Sequence, residues 1–245
     1  MNMKIYYRNN CNFGDMLNIS LAKVFGVSNF LHADYTPSDT CFIGSVLDRL
    51  LVGGDSLRPI KIIGTGFMNE DSKVNRKIES VVACRGKLTS DKLGLRKCMV
   101  GDPAIILPKL YMPKIETKYD IGFAPHFKAQ HNKIEGAYII NLTDPVNVVL
   151  NNILSCNRVI TSSLHVLIIC DIYGIPVELT YKDNPNFNVI DEFKFRDYYS
   201  IGAITDMMAD DYIDILDKEF YGRNNNNSRL GRQELEKRAF EIFKL

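Results

Sequence analysis

Short apolar runs recur along the chain at residues 4–7, 40–43, 60–64, 81–84, 121–124, 137–141, 158–161 and 176–179. They are rich in Ile, Val, Phe and Tyr, and several are nearly continuous rather than alternating, the pattern of strands covered on both faces. Between them, residues 15–25, 46–52, 146–154 and 165–173 repeat their apolar positions with helical spacing. Strand and helix in alternation predict an α/β protein with parallel sheets and helices on both faces.

The stretch 107–118, with Pro108, Pro113 and mixed charges, follows neither period and divides the chain into nearly equal halves. It reads as a linker between two Rossmann-like domains, 1–108 and 109–245. Near the end, Asn224-Asn225-Asn226-Asn227 is a polar spacer, and Ser228 can cap a last amphipathic helix reaching Leu245. Leu235, Phe240 and Phe243, flanked by Leu230 and Ile242, give that helix an apolar side, and Arg229, Arg232, Lys237, Arg238 and Lys244 make it basic. Packing on one of the domains is its plainer reading. Peripheral contact with a membrane surface through residues 229–245 is the other.

Composition narrows the function. With 46% hydrophobic and 24% charged residues in 245, the chain can bury a sizeable core. Thirty basic side chains against 29 acidic ones leave a net charge of +1, so no global field gathers nucleic acid and none is expected as a partner. The six cysteines form no C-x-x-C pair, and Cys84 and Cys170 lie inside apolar runs, as buried thiols of a reducing compartment do. No apolar run approaches the ~18 residues of a membrane span, and the first residues lack the apolar stretch of a secretion signal. A cytoplasmic protein is expected.

Familiar chemistries are poorly supported. Gly64-Thr65-Gly66 follows a predicted strand, but Asn69 stands where a dinucleotide fingerprint needs its third glycine. There is no Walker-type phosphate loop and no G-x-S-x-G elbow. The four histidines show no metal-ligand spacing, so no metal or other cofactor is expected.

Three places put polar groups at the C-terminal ends of predicted strands, where open α/β sheets bind ligands. Asn12-Phe13-Gly14-Asp15 opens the first helix, either as its cap or as a ligand-binding turn. Cys84-Arg85-Gly86-Lys87 ends a strand in two cations, which suit a carboxylate or phosphate, although a surface ion pair is the bland alternative. Thr161-Ser162-Ser163-Leu164-His165 joins a strand to a helix that is apolar on nearly every side. A histidine there can exchange protons near neutral pH, or simply be bonded to a core carbonyl.

In this order the motifs resemble the polysaccharide pyruvyl transferase family. The resemblance runs over roughly residues 9–202, through Asn12-Phe13-Gly14-Asp15, Ile43-Gly44-Ser45, Ile63-Gly64-Thr65-Gly66, Arg85-Gly86 with Ser90, Gly101-Asp102-Pro103-Ala104 and Pro125-His126. It continues through Ser162-Ser163-Leu164-His165, Tyr173-Gly174-Ile175-Pro176 and Phe195-Arg196-Asp197-Tyr198-Tyr199. It implies two Rossmann-like domains facing a cleft, as in GT-B glycosyltransferases. It also implies transfer of the enolpyruvyl carbon of phosphoenolpyruvate onto two sugar hydroxyls as a cyclic ketal.

Carried onto this chain, the resemblance makes His165 the proton-transfer group and His126 a second acid/base or sugar ligand. Arg85, with Lys87, Ser162 and Ser163, would hold the donor. Asn12, Gly14, Asp15 and Tyr198 would meet the acceptor, a sugar that in relatives is often part of a lipid-linked oligosaccharide. Ser163 stands where many members have Arg. On this reading Arg85→Ala weakens donor binding and leaves the fold intact. Two other functions stay open: a GT-B glycosyltransferase using a nucleotide sugar, and a sugar-binding module that has lost its donor site.

Overall fold

The structure, a computed structural model, describes residues 5–7, 12–27, 39–49, 59–74, 76–129, 133–180, 192–224 and 231–244. Nine strands in it form two sheets. The first places β1 (Ile5–Tyr6), β2 (Thr40–Cys41), β3 (Ile60–Ile63), β4 (Ile78–Cys84) and β5 (Met99–Val100) side by side in chain order. The second runs β7 (Tyr138–Ile139), β6 (Tyr119–Ala124), β8 (Cys156–Thr161), β9 (Val177–Leu179). Every pairing is parallel, so each strand must be followed by a crossover. This mixed α/β architecture, with two parallel sheets, fits a two-domain Rossmann-like arrangement.

Helices α1 (Phe13–Val24), α2 (Lys87–Lys92) and α3 (Leu107–Leu110) belong to the first half, and α4 (Val146–Leu154) and α5 (Leu164–Tyr173) to the second. α5 buries Leu164 and every residue from Val166 to Cys170, which explains its lack of a polar face. It stops at Gly174, whose φ of 70° is the left-handed conformation that closes many helices. α1 is tied to the end of the first sheet by Asn18, a fully buried side chain that donates to the Ile43 carbonyl and accepts from the Ile43 N–H.

The last segments turn back. α6 (Glu192–Tyr199) packs on α2, and α7 (Asp206–Asn224) packs on the 3-10 turn Pro103–Ile106. Phe220 of α7 lies edge-on to Phe42 at 4.9 Å, and Glu219 pairs with Lys61 at 2.7 Å. α8 (Arg232–Phe243) packs on α1, α3 and α4, burying Leu235, Ala239 and Phe243. One apolar core therefore runs from Ile5, Phe42 and Ile63 through α1 to α4, α5 and α8.

Several expectations shift. Of the helix expected at 46–52, residues 46–49 are described, and only Leu47–Arg49 are helical, as a single 3-10 turn. The linker 107–118 begins with α3 and is irregular from Tyr111 to Lys118. α8 starts after Gly231, and Ser228 lies outside the described residues. α6 and α7 had no clear apolar period: α7 mixes five aspartates with its apolar residues, so its helical pattern is visible only once its partner surface is known.

Candidate functional site

The loops that follow β3, β4, β5, β6 and β8 all leave the C-terminal ends of parallel strands. Hydrogen bonds hold them in place. Thr161 Oγ1 donates to the Ala124 carbonyl at 2.7 Å and accepts from the Ser163 N–H at 3.0 Å. Ser162 Oγ accepts from the His126 N–H at 2.9 Å. In the first sheet Thr65 Oγ1 donates to the Gly44 carbonyl, the Arg85 N–H to the Thr65 carbonyl, and the Gly101 N–H to the Cys84 carbonyl.

His165, the second residue of α5, sits where these groups meet. Its ring packs so closely on Gly14, near the start of α1, that a Cβ at Gly14 would collide with Nδ1, Cγ and Cε1. Glycine at position 14 is thus needed for contact rather than for φ. On the other side, Nε2 faces Asp102 Oδ2 at 3.8 Å, too far for a hydrogen bond. Both atoms are buried without a partner. The other carboxylate oxygen of Asp102 is spent as a cap, accepting from the Ala104 N–H at 3.0 Å.

A buried donor or acceptor left unpaired costs ~1–3 kcal/mol, so two that face each other across a gap are not a packing accident to be ignored. Burial, reinforced by the positive charges of Arg85 and Lys194, pushes the His165 imidazolium down to about 3. Desolvation is the main cause of this lowering. Burial pushes the Asp102 carboxyl up to about 6 against the opposing pull of the Ala104 N–H and Arg85. At neutral pH the imidazole is neutral, and the carboxyl titrates just below.

Arg85 is fully buried, and its guanidinium is occupied. Nε and Nη2 meet Asp197 Oδ2 at 3.0 and 2.9 Å, Nη2 donates to the Phe67 carbonyl at 2.6 Å, and Nη1 donates to Ser45 Oγ. Asp197 is further held by the Thr89 N–H and hydroxyl at 2.7 and 2.6 Å. Gly66 has no room for a Cβ because the guanidinium lies against it. The expectation that Arg85→Ala leaves the fold intact is thus overturned, since the substitution strands a buried carboxylate. The second buried cation acting on His165 is Lys194 of α6, 6% exposed, with its ammonium 5.2 Å above the Phe195 ring.

The remaining candidates are placed as follows. Lys87 is exposed, and its backbone N–H donates to Ser200 Oγ at 2.7 Å. Ser162 and Ser163 are buried at the α5 start. His126 stands partly buried beside Phe127, with ring centres 4.5 Å apart. Asn12 donates to Asp15 Oδ2 at 3.4 Å at the start of α1. Tyr198 is in the core with its hydroxyl donating to Asp171 Oδ2 at 2.6 Å, so burial withdraws the ring from any acceptor; its neighbour Tyr199 is 55% exposed. Among the described residues, no group of three or more His, Cys, Asp or Glu side chains is gathered as a metal ion would need. No helix among them is long and apolar enough to cross a membrane.

Sequence reasoning gave no role to Asp102, Lys194 or Asp197. Asp102-Pro103 reads as a helix cap, which half of the carboxylate is, and nothing local reveals that its second oxygen meets His165. Lys194 and Asp197 lie on a helix whose return to the first sheet is a tertiary fact.

Known proteins are similar to this chain. An uncharacterized protein, L143, of Acanthamoeba polyphaga mimivirus is 29% identical over 183 residues, covering 66% of this chain. The chain spans 60% of the length of that relative. The crystal structure of a functionally uncharacterized protein, KP1_0663, of Klebsiella pneumoniae superposes with a TM-score of 0.48 at 15% identity, over 82% of this chain and 88% of the other. The family model for polysaccharide pyruvyl transferase matches residues 12–177, more than half of the chain. That match begins at the Asn12 turn and takes in Arg85, Asp102 and the α5 start with His165, so the chain belongs to the polysaccharide pyruvyl transferase family.

Proposed function

We propose that this protein transfers pyruvate from phosphoenolpyruvate onto two hydroxyls of a sugar in a surface-polysaccharide repeat unit, as a cyclic ketal. The observation that carries this reading is the unpartnered pair His165 Nε2 and Asp102 Oδ2, 3.8 Å apart beside two buried cations. Phosphoenolpyruvate is an anion whose methylene carbon must gain a proton before a hydroxyl can add. The positive charges of Arg85 and Lys194 and the N–H groups at the α1 and α5 starts favour its carboxylate and phosphate. Arg85 acts here mainly by fixing Asp197 and the Gly64-Thr65-Gly66 turn. Lys194 is the donor-binding cation, with Ser162 and Ser163 at the helix start.

In this mechanism the bound anion raises the proton affinity of His165, which then carries the proton to the methylene carbon. The first sugar hydroxyl adds to the resulting oxocarbenium ion and gives its proton to the His165–Asp102 pair. The carbon–oxygen bond to phosphate breaks, phosphate leaving with the bond pair. The second hydroxyl then closes the ketal and loses its proton, with His126 as a second acceptor. Such proton transfer contributes ~10²–10⁴ in rate. Asn12, Asp15 and the exposed Tyr199 are the proposed sugar contacts.

We read the two-sheet arrangement as GT-B-like, with the cleft at the His165 loops. The acceptor is a lipid-linked sugar on the cytoplasmic face of a membrane, approached through Lys237 and Phe240 of α8 and Lys244 just after it. The test is phosphate release from phosphoenolpyruvate with diol-bearing pyranosides, run beside melting curves. His165→Gln should lower kcat by ~10²-fold or more in a folded protein. Near wild-type turnover in that variant would remove His165 from the chemistry. A stabilisation by nucleotide sugars and not by phosphoenolpyruvate would move the reading to glycosyl transfer.

A further inference from the structure

The end of β4 and the residue before β5 bring two thiols into contact. Cys84 Sγ and Cys98 Sγ are 3.6 Å apart, although 14 residues separate them in sequence. The register explains this: Ala83 is paired with Met99 and Cys84 with Val100, so Cys98 lies diagonally across from Cys84. Cys84 is buried and Cys98 only partly so. Exposed Arg96 and Lys97 precede Cys98 directly.

We propose that Cys84 and Cys98 form a reversible dithiol–disulfide site that reacts with anionic low-molecular-weight disulfides of the glutathione class. Cys98 is the attacking group. It is the reachable one, the basic residues beside it attract an anionic disulfide, and its contact with the Cys84 thiol holds its own thiol below the ordinary range. Its thiolate attacks one sulfur of glutathione disulfide, forming a mixed disulfide and expelling one glutathione thiolate. Cys84 then loses its proton and attacks Cys98 Sγ, expelling the second glutathione. The protein gives up two thiol hydrogens and two electrons, and glutathione disulfide becomes two glutathione molecules. The chain is then closed between β4 and β5.

The rest of the molecule makes this pair distinct among the described residues. Burial pushes up the thiols of Cys41, Cys156 and Cys170, and contact with Cys98 together with burial pushes up that of Cys84, so among these cysteines Cys98 alone is held below the ordinary range. The pair also lies next to the site: Arg85 follows Cys84, the Gly101 N–H donates to the Cys84 carbonyl at 2.8 Å, and Asp102 follows Gly101. Oxidation thus pins together the two strand ends that carry Arg85 and Asp102.

The test is to equilibrate the full chain with glutathione buffers of increasing disulfide fraction, alkylate free thiols, and map them by mass spectrometry. Two of the six cysteines should become protected together, in one peptide pair linking Cys84 to Cys98, and dithiothreitol should restore both. The oxidised form should melt about 6–12 °C higher, as a closed loop of this length implies. Cys84→Ser should stop the reaction at one glutathione on Cys98, and Cys98→Ser should leave Cys84 free. Overturning results are a Cys84–Cys98 pair that stays alkylatable while other cysteines, Cys11 included, are consumed, or Cys84→Ser with no adduct at Cys98.

Discussion

Replacing Asp102 by Asn should make the protein more stable at neutral pH while impairing it as an enzyme. The substitution keeps an oxygen to accept from the Ala104 N–H and replaces the unpartnered Oδ2 with an amide that can donate to His165 Nε2. The carboxyl is fully buried and its proton affinity is displaced from the ordinary 3.8 to about 6. Because the folded state holds the proton more tightly than the unfolded chain, the contribution of Asp102 to stability is complete below pH 3.8. It is lost as pH rises through about 6. At ~1.4 kcal/mol for each tenfold change in proton affinity, the loss reaches about 3 kcal/mol above pH 6. Asn escapes this loss. The gain of Asp102→Asn over wild type should thus be near zero at pH 4 and grow to a few kcal/mol by pH 7, or about 6–12 °C in Tm. The His165 contribution runs the opposite way, rising with pH between about 3 and 6.5, but it is present in both proteins and largely cancels in the difference. Urea denaturation of both proteins at unit pH steps from 4 to 8 reads this directly. A variant that is less stable than wild type at pH 7, with a deficit that does not change with pH, would refute the reasoning.

Arg85→Ala and Asp197→Ala should each destabilise by about 3–5 kcal/mol, and the double variant by clearly less than their sum; chemical denaturation of the three variants checks this. Gly14→Ala should displace the His165 ring and depress kcat more than stability, read by phosphate release beside a melting curve. Lys194→Met should raise KM for phosphoenolpyruvate by tenfold or more with a smaller effect on kcat, because it removes charge and keeps most of the apolar stem. In free-enzyme kinetics, kcat/KM should fall as pH rises above about 6, where the carboxyl of the pair gives up its proton; a profile flat from pH 5 to 8 would contradict that assignment.

Much of the fold was legible because the signals are local. The apolar run ending at Thr161 reads as a strand and the all-round apolar segment after Ser163 as a buried helix, and both stand where the pattern put them. The same is true of Val146–Leu154. What was not legible depends on partners distant in sequence. α6 buries its face on α2, and α7 on residues 103–106 and against Phe42, so their own spacing is uninformative. Arg85 illustrates the limit for the site: an arginine after a buried strand is as good an anion clamp as an ion-pair partner, and only the return of Asp197 over 112 residues shows that its fork is already filled. His165 was visible from its junction between strand and helix. Asp102 was not, since a residue that caps a turn with one oxygen gives no sign of what the other faces.

The central claim is that an anionic donor binds beside His165 and Asp102 and loads the pair with a proton. Calorimetric titration of phosphoenolpyruvate at pH 7, in buffers of different ionisation enthalpy, measures that proton directly. The account predicts uptake of about one proton per bound donor by the wild-type protein, and its disappearance in His165→Gln under the same conditions. Binding by both proteins with identical proton uptake, or no binding by the folded wild type, would contradict it.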